Sequence, residues 1–355
     1  MTSAAAEPSM SRPWGRGLWI SAALLLAMLI AAEAALRTSF VFERLPMPRP
    51  YYTYDVTRRV HYLTELERVH GPIDVLFVGS SAVRAGFKPP QFDKAVKAAG
   101  GGRVLSFNGG LSKMYPGTAR LYLAHVWLEQ TKPRFVLHGI RPNELVSGSS
   151  GSFLKNGAIE SLWLERAPLA MLEARLLGAS KLLQYRGTLN MSLERWSADK
   201  PLHAARERGE MGTDSRGYGR EKTPLRITRK RHSRRLWLYR KMPNAKQYER
   251  GLAVLEAMRA ECERHGVQYV LVHLPEHPDR YAREQGGMLW QDYQARVHTW
   301  AAAHHVPFID VTHGDFHRFG ADELYSDYHH LSLRGAERLS ELVAKDFAKL
   351  LSEPR

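Results

Sequence analysis

The sequence predicts a three-layer α/β/α domain, built on a doubly wound sheet of five parallel strands and preceded by an N-terminal transmembrane helix. Three observations predict this fold class. From residue 73 onward, short apolar runs typical of buried strands alternate with longer helical patterns; two of the helical patterns end at a glycine; and one apolar run near the N-terminus is about as long as a bilayer is thick. A chain of 355 residues without an apparent internal repeat is long enough for one large core.

The N-terminal apolar run covers residues 17–36 and is interrupted only by Ser21 and Glu33. Its length is about the 20 residues that a membrane-spanning helix needs. Two arginines precede it, so the positive-inside rule predicts a cytoplasmic tail over 1–16 and an extracytoplasmic location, of the periplasmic kind in a bacterial inner membrane, for the rest of the chain. Small residues around Glu33 also fit a cleaved signal peptide, but the run is longer than a usual signal-peptide core, which favours a retained anchor.

Between the membrane run and the domain, residues 37–72 are rich in proline and tyrosine and predict a stalk or linker with a short helix at 63–69. The domain follows at 73–352. Its strand patterns lie at 74–78, 103–107, 135–140, 269–274 and 308–311. Its helical patterns lie at 91–99, 118–130, 246–265, 291–304 and 334–351. Gly100 and Gly266 follow two of these helices, where glycine suits the turn that ends a helix.

One long segment, 147–241, shows no clear strand and helix alternation and predicts an insertion or lid. Its last part, 226–241, holds eight arginines and lysines with Trp237 among them. This basic segment predicts either a patch for anionic glycan or lipid headgroups, or a solvated helix face. The net charge of +15 would also suit nucleic acid, but export across a membrane argues against a nucleic-acid partner.

Polar motifs follow four of the five predicted strands. Ser81 comes after the first strand, Gly110 after the second, Asn143 after the third, and the run from Asp327 to His330 after the fifth. In an open α/β sheet, ligands bind beyond the carboxyl ends of the strands. The four motifs therefore predict a single site at one edge of the sheet.

The residue types at this edge predict serine-based acyl chemistry. Ser81 would be the nucleophile, His330 the base that takes its proton, and Asp327 the carboxylate that orients the imidazole. The main-chain N–H groups of Ser81 and Gly110, with the side-chain amide of Asn143, would form the oxyanion hole. A second interpretation of Asp327 is a cap on the last helix.

These motifs resemble the four blocks of the SGNH (GDSL-like) hydrolase superfamily, which supply Ser, Gly, Asn and His in this chain order. The resemblance covers residues 73–346 without the insertion, and it implies an α/β/α fold, ester or acyl-transfer chemistry and no cofactor. Two positions depart from the pattern. Ser80 stands where the first block has Asp, and Glu144 stands where many members have Asp after the block-three Asn.

A Gly-Ser-Ser first block behind an anchor is similar to the cell-envelope branch, whose members work in D-alanylation of teichoic acids or O-acetylation of exopolysaccharides. The resemblance implies an acylated envelope polysaccharide or another ester as substrate, with hydrolysis and transfer both open. A membrane-bound acyltransferase is a further partner that it allows. The alternative from another class is a non-catalytic scaffold that holds anionic polymer through the basic segment.

Further polar residues lie near the predicted site. Arg84, Glu276, His277 and His329 are candidates for substrate contacts, with His329 second to His330 as the base. Pro275 prevents His273 and His277 from sharing one helix face as zinc ligands do, and the pair His304 and His305 lacks a ligand pattern, so no metal site is predicted. Cys262 is the only cysteine, which excludes an intramolecular disulfide, and we interpret it as a structural thiol.

Overall fold

The computed structural model describes residues 14–38, 52–112, 114–145, 180–183, 214–219, 245–277, 284–311, 316, 321–327 and 330–352. Five strands form one parallel sheet, as the sequence predicts: β1 Val75–Gly79, β2 Ser106–Asn108, β3 Phe135–Ile140, β4 Gln268–His273 and β5 Phe308–Asp310. Their order across the sheet is β2-β1-β3-β4-β5. The chain therefore moves outward from β1 to β2 and then returns to the other side of β1, which makes the carboxyl ends of β1 and β3 the switch point where ligands bind in such sheets.

Helices cover both faces of the sheet and give the three predicted layers. In chain order, the helices of the described residues are α1 Trp14–Leu36, α2 Tyr52–His70, α3 Ser81–Gly86, α4 Pro89–Ala98, α5 Pro116–Tyr122, α6 Pro142–Leu145, α7 Ala245–Arg264, α8 Glu284–Ala303 and α9 Leu333–Ser352. Helix α1 contributes no residue to the core on either face of the sheet. A π-helical turn, Leu123–Trp127, continues α5 to a last α-helical turn at Leu128–Gln130. Gly100 and Gly266 have positive φ angles of 88° and 68°, which confirms their role after helix ends.

Alternate side chains of β1 enter the two halves of the core. Leu76 and Val78 belong to the half that also contains α2, α5, α7 and α8, while Val75 and Phe77 belong to the half that contains α4 and α9. All five residues of β1 are buried. A central strand buried on both faces explains why its sequence is apolar without alternation.

The edge strand β2 is shorter than the sequence predicts. The prediction covers 103–107, but the strand begins at Ser106 and pairs with β1 from Val75 onward. As an edge strand, β2 has only β1 as a neighbour, so residues before the start of the β1 ladder have no strand to pair with.

The predicted stalk at 37–72 is wrong over its second half. Instead of a short helix at 63–69, the structure has the 19-residue α2, and its Val56, Leu63 and Leu66 are buried in the core. These residues are spaced so that they share one face of the helix, which packs on the sheet. The domain therefore includes α2.

The N-terminal helix α1 contains one span, Gly17–Leu36, that is long and apolar enough to cross a membrane, with a mean hydropathy of 2.1. Its residues are exposed except for the partly buried Glu33 and the buried Leu36 at its end. Within the predicted insertion, residues 180–183 and 214–219 are described. The basic segment 226–241 and His329 lie outside the described residues, so the predictions for them stay predictions.

Candidate active site

Ser81 is the first residue of α3, immediately beyond the carboxyl end of β1. Ser80 caps this helix, because its hydroxyl accepts a hydrogen bond from the N–H of Ala82. The turn before it requires glycine: Gly79 has a φ angle of 141°, and a Cβ there would lie 2.5 Å from a methyl carbon of Val83. The sharp turn from strand to helix leaves Ser81 partly exposed.

The structure brings Ser81, His330 and Asp327 into one chain of hydrogen bonds. Ser81 Oγ lies 2.8 Å from His330 Nε2, and His330 Nδ1 lies 2.8 Å from Asp327 Oδ2. The side chains of His330 and Asp327 are 21% and 34% exposed. With a proton on Nδ1, His330 donates to the carboxylate and presents the lone pair of Nε2 to the serine hydroxyl.

A tight turn holds Asp327 and His330 together. Asp327 Oδ1 also accepts the main-chain N–H of His330 at 2.7 Å, and the N–H of Ser326 donates to the His330 carbonyl at 2.8 Å. Asp327 does not cap α9, which was its alternative interpretation. Ser332 caps this helix, because its hydroxyl accepts the N–H of Gly335. Leu331 is buried in the core and fixes the turn against the domain.

Two of the three predicted oxyanion-hole residues lie in the segments that follow β2 and β3. Gly110 must be glycine because a Cβ there would lie 2.6 Å from the main-chain nitrogen of Arg84 in α3. Its N–H donates to Asn108 Oδ1 at 2.9 Å. Asn143 is the second residue of α6 and is partly exposed. The loop after β2 thus packs closely against the helix that begins with Ser81.

A buried charge network, formed by Ser80, Arg141, Glu144 and Glu276, lies beneath the site. Ser80 Oγ donates to Glu144 Oε1 at 2.5 Å, and the Arg141 guanidinium bonds the same carboxylate. Arg141 Nε also lies 3.9 Å from Glu276 Oε1. Each of the four residues is at most 5% exposed. The network joins the ends of β1, β3 and β4. In the sequence, only the i,i+3 spacing of Arg141 and Glu144 indicates that these two side chains form an ion pair.

The structure buries three residues that the sequence suggested as substrate contacts. Arg84, Glu276 and His277 are 2%, 5% and 2% exposed. Arg84 lies under Gly219, and the ring of His277 packs edge to face on that of Tyr325, 5.0 Å away. This burial favours a supporting role, in which His277 and Tyr325 hold the turn that carries Asp327.

The sequence reasoning did not single out Arg59, Arg216 and the side chain of Asn108. Arg59 and Asn108 are fully buried and Arg216 is partly buried, and each of the three donates hydrogen bonds to main-chain carbonyls. Arginines in a chain with 51 basic residues carry no distinguishing signal, and an asparagine at the end of a strand has the same pattern in sequence as an ordinary turn residue.

No group of three or more His, Cys, Asp or Glu side chains that could hold a metal ion is found among the residues that the structure describes. His273 and Asp310, at the ends of β4 and β5, lie 3.3 Å apart between Nδ1 and Oδ1. Burial lowers the pKa of the His273 imidazole, against the opposing effect of Asp310.

Comparison with known proteins gives only weak similarities. A scan against protein-family models found no match, and a search of curated proteins found none. Among solved structures, a lipase/acylhydrolase from Enterococcus faecalis has a TM-score of 0.39 and 15% identity, covering 78% of this chain and 97% of that chain. A GDSL-like lipase from Bacteroides thetaiotaomicron has a TM-score of 0.38 and 10% identity, covering 83% and 98%.

The acetylxylan esterase Axe2 from Geobacillus stearothermophilus has a TM-score of 0.40 and 12% identity, covering 79% of this chain and 95% of that chain. With identities of 15% or less and low TM-scores, these similarities carry no information on the substrate. The functional conclusion rests on the contacts among Ser81, His330 and Asp327.

Proposed function

We propose that the chain is a serine esterase or O-acyltransferase that acts on acyl esters of a cell-envelope glycan through an acyl-Ser81 intermediate. The observation that carries this proposal is the pair of 2.8 Å contacts from Ser81 through His330 to Asp327. A serine hydroxyl is a weak nucleophile at neutral pH unless a base accepts its proton, and the pair supplies the base and the group that orients it.

In the first half-reaction, Ser81 Oγ attacks the acyl carbon while His330 Nε2 takes the hydroxyl proton. A tetrahedral intermediate forms, and it collapses as His330 returns that proton to the departing sugar oxygen. The products are the free sugar hydroxyl and acyl-Ser81. Asp327 stabilises the imidazolium that exists between the two proton transfers.

In the second half-reaction, an acceptor hydroxyl attacks the acyl carbon of acyl-Ser81 and gives its proton to His330. The intermediate collapses with the proton returned to Ser81 Oγ. Water as acceptor releases a carboxylic acid, whereas a sugar hydroxyl gives a new ester. The same residues thus serve hydrolysis and transfer, and the choice between them depends on the exclusion of water from the site.

The negative oxygen of each intermediate needs preorganised donors, which we assign to the N–H groups of Ser81 and Gly110 and the amide of Asn143. In the structure the Gly110 N–H donates to Asn108 Oδ1, so an oxyanion must share this donor or replace that acceptor. Ser81 N–H belongs to the first turn of α3, where N–H groups have no partner within the helix.

We place the protein in a bacterial-type inner membrane with α1 as a retained single-pass anchor and the domain on the extracytoplasmic side. The charge pattern of the N-terminus supports the orientation. Contacts of Glu33 support retention. Its carboxylate accepts the N–H groups of Lys181 and Leu182 and the hydroxyl of Ser180, each at 2.9 Å. Cleavage after the small residues next to Glu33 would remove this attachment point of the insertion.

The proposal is tested with the full chain in detergent, assayed for acyl release from an aryl acetate and from an acetylated envelope polysaccharide. We expect acetate release that Ser81→Ala abolishes and that Ser352→Ala, a change of a hydroxyl at the end of α9, leaves intact. Transfer is distinguished from hydrolysis by adding a free glycan acceptor and measuring by mass spectrometry whether the acceptor gains an acyl group.

Folded wild-type protein without Ser81-dependent acyl release would contradict the proposal. In that case, retained binding of anionic polymer would support the scaffold interpretation. Activity that appears only with a co-purified membrane-bound acyltransferase would support an accessory role.

A further inference from the structure

Arg59 links helix α2 to the loop that follows β2. Its side chain is fully buried, and its guanidinium donates to the carbonyl oxygens of Asn108 and Gly217. Burial of a guanidinium is unfavourable unless its N–H groups find acceptors. Here two acceptors are main-chain carbonyls from segments about 110 positions apart in the chain, so one side chain fastens both segments to α2.

The second of these segments, 214–219, is a compact turn from the predicted insertion. Asp214 organises it: Oδ1 accepts the N–H groups of Arg216 and Tyr218, both at 2.9 Å. Gly217 has a φ angle of 81°, and a Cβ there would overlap the carbonyl oxygen of Asn108. The turn therefore lies in direct main-chain contact with the end of β2.

The turn is attached to the domain by further hydrogen bonds. Arg216 donates from Nε to the carbonyl of Ser106 at 2.9 Å and also bonds Asp93 of α4. The Arg216 carbonyl accepts the N–H of Asn108 at 3.0 Å, and the N–H of Gly219 donates to the carbonyl of Arg84 at 3.0 Å. The turn thus touches both the β2 end and α3.

Asn108 transmits this attachment to the site. Its side-chain NH₂ donates to the carbonyls of Val83 at 3.0 Å and Phe87 at 2.7 Å, at the end of α3, and its Oδ1 accepts the N–H of Gly110. One buried side chain therefore fixes both the helix that begins with Ser81 and a proposed oxyanion donor. Any shift of the Asn108 main chain moves the two together.

We infer that Arg59 and the turn 214–219 are a positioning device for acyl transfer at Ser81. They hold the Asn108 main chain from two sides, so that its side chain sets the Gly110 N–H relative to the Ser81 hydroxyl. The inference rests on the proposed function. It also makes the position of the loop after β2 dependent on α2, the first helix of the domain after the proposed membrane anchor.

The test compares Arg59→Met with Arg68→Met in the full-length protein. Arg68 lies on the same helix, is 67% exposed and pairs with Glu65, so its change removes a similar side chain without touching the loop. We expect Arg59→Met to lower kcat for an aryl acetate by at least about tenfold with KM nearly unchanged, because small misplacements of reacting groups have large kinetic effects. Arg59→Lys should restore part of kcat, and Arg68→Met should match the wild type.

Thermal unfolding of the same samples distinguishes positioning from stability alone. Wild-type kcat in the folded fraction of Arg59→Met would overturn the inference even if the melting temperature falls. For the case in which Arg59→Met does not fold, Asp214→Ala loosens the turn at an exposed residue, with Asp346→Ala on α9 as its control. We expect Asp214→Ala to lower kcat, as Arg59→Met does.

Wild-type kcat in folded Asp214→Ala would assign the turn to stability and overturn the inference. Failure of the proposed function has a different result: the wild type itself would show no Ser81-dependent turnover. Loss of kcat in the Arg59 and Asp214 variants, beside a normal wild type and normal controls, supports the inference.

Discussion

Ser80 Oγ lies 2.5 Å from Glu144 Oε1, so the residue before the proposed nucleophile is hydrogen-bonded to the residue that follows Asn143. These are the two positions at which the sequence departs from the blocks it resembles, and the structure shows that they are in contact. An aspartate at position 80 would place a second carboxylate against Glu144, whereas the serine hydroxyl donates to it. The two departures therefore fit each other.

Ser80→Ala is predicted to destabilise the fold by about 2–4 kcal/mol, because it removes the cap of α3 and a hydrogen bond to the buried Glu144 carboxylate. Urea unfolding of the full chain measures the change. Ser352→Ala, which removes a hydroxyl that bonds a carbonyl within α9, is the matched control. A loss of unfolding free energy as small as that of the control would show that the Ser80 hydrogen bonds do not stabilise the fold.

Asp327→Asn is predicted to lower kcat by about 10³-fold or more while the protein stays folded, because the neutral amide neither stabilises the His330 imidazolium nor enforces its tautomer. The Asp327 side chain is 34% exposed, so its neutralisation leaves little buried polarity unsatisfied. Steady-state kinetics with an aryl acetate measure the change, with Asp346→Asn as control. A decrease below about tenfold would contradict the assigned role.

His138 is predicted to weaken the fold in acid. It is buried at the middle of β3 with Nδ1 2.6 Å from the Tyr269 oxygen, and burial lowers its pKa to about 3, from an ordinary value of 6.5. Between these two values the unfolded chain binds a proton that the folded chain does not, so stability falls as pH falls through this window.

His138→Gln, which cannot titrate, should therefore lose less stability on acidification than the wild type. From about pH 7 to about pH 4.5 the difference in unfolding free energy between the two proteins is expected to shift by about 2–3 kcal/mol in favour of the variant. Urea titrations at both pH values measure it. A constant difference would mean that His138 does not resist protonation in the folded state.

Cys262 is predicted to be inert in the folded protein. Its side chain is buried, and burial raises the pKa of the thiol to about 12, so the reactive thiolate is scarce at neutral pH. Iodoacetamide at about pH 8 should modify the chain in guanidinium and leave the native protein unmodified, as judged by intact mass. Rapid modification of native protein would contradict this structure around α7.

The sequence predicted the layers of the fold and the meeting of Ser81, His330 and Asp327, because strand ends in a parallel sheet meet at one edge and local patterns mark strand ends. It did not predict that α2 belongs to the domain. A single apolar helix face gives no sign of what covers it, and the prolines before Tyr52 suggested a linker.

Local sequence patterns also did not predict which polar residues around the site are buried. The burial of Arg84, Glu276 and His277 depends on segments far away in the chain, such as Gly219 and Tyr325. A polar residue after a strand looks the same in sequence whether it faces a substrate or supports the wall behind it. Only the three-dimensional contacts separate the two.

Treatment of the full-length protein with a fluorophosphonate probe, followed by mass spectrometry of its peptides, tests the central claim most directly. An activated serine hydroxyl reacts with such a probe, and ordinary serines do not. We predict a single adduct on Ser81, which is absent in Ser81→Ala and strongly reduced in His330→Ala. Folded protein that carries no adduct on Ser81, or carries one that persists at the same rate without His330, would contradict the account.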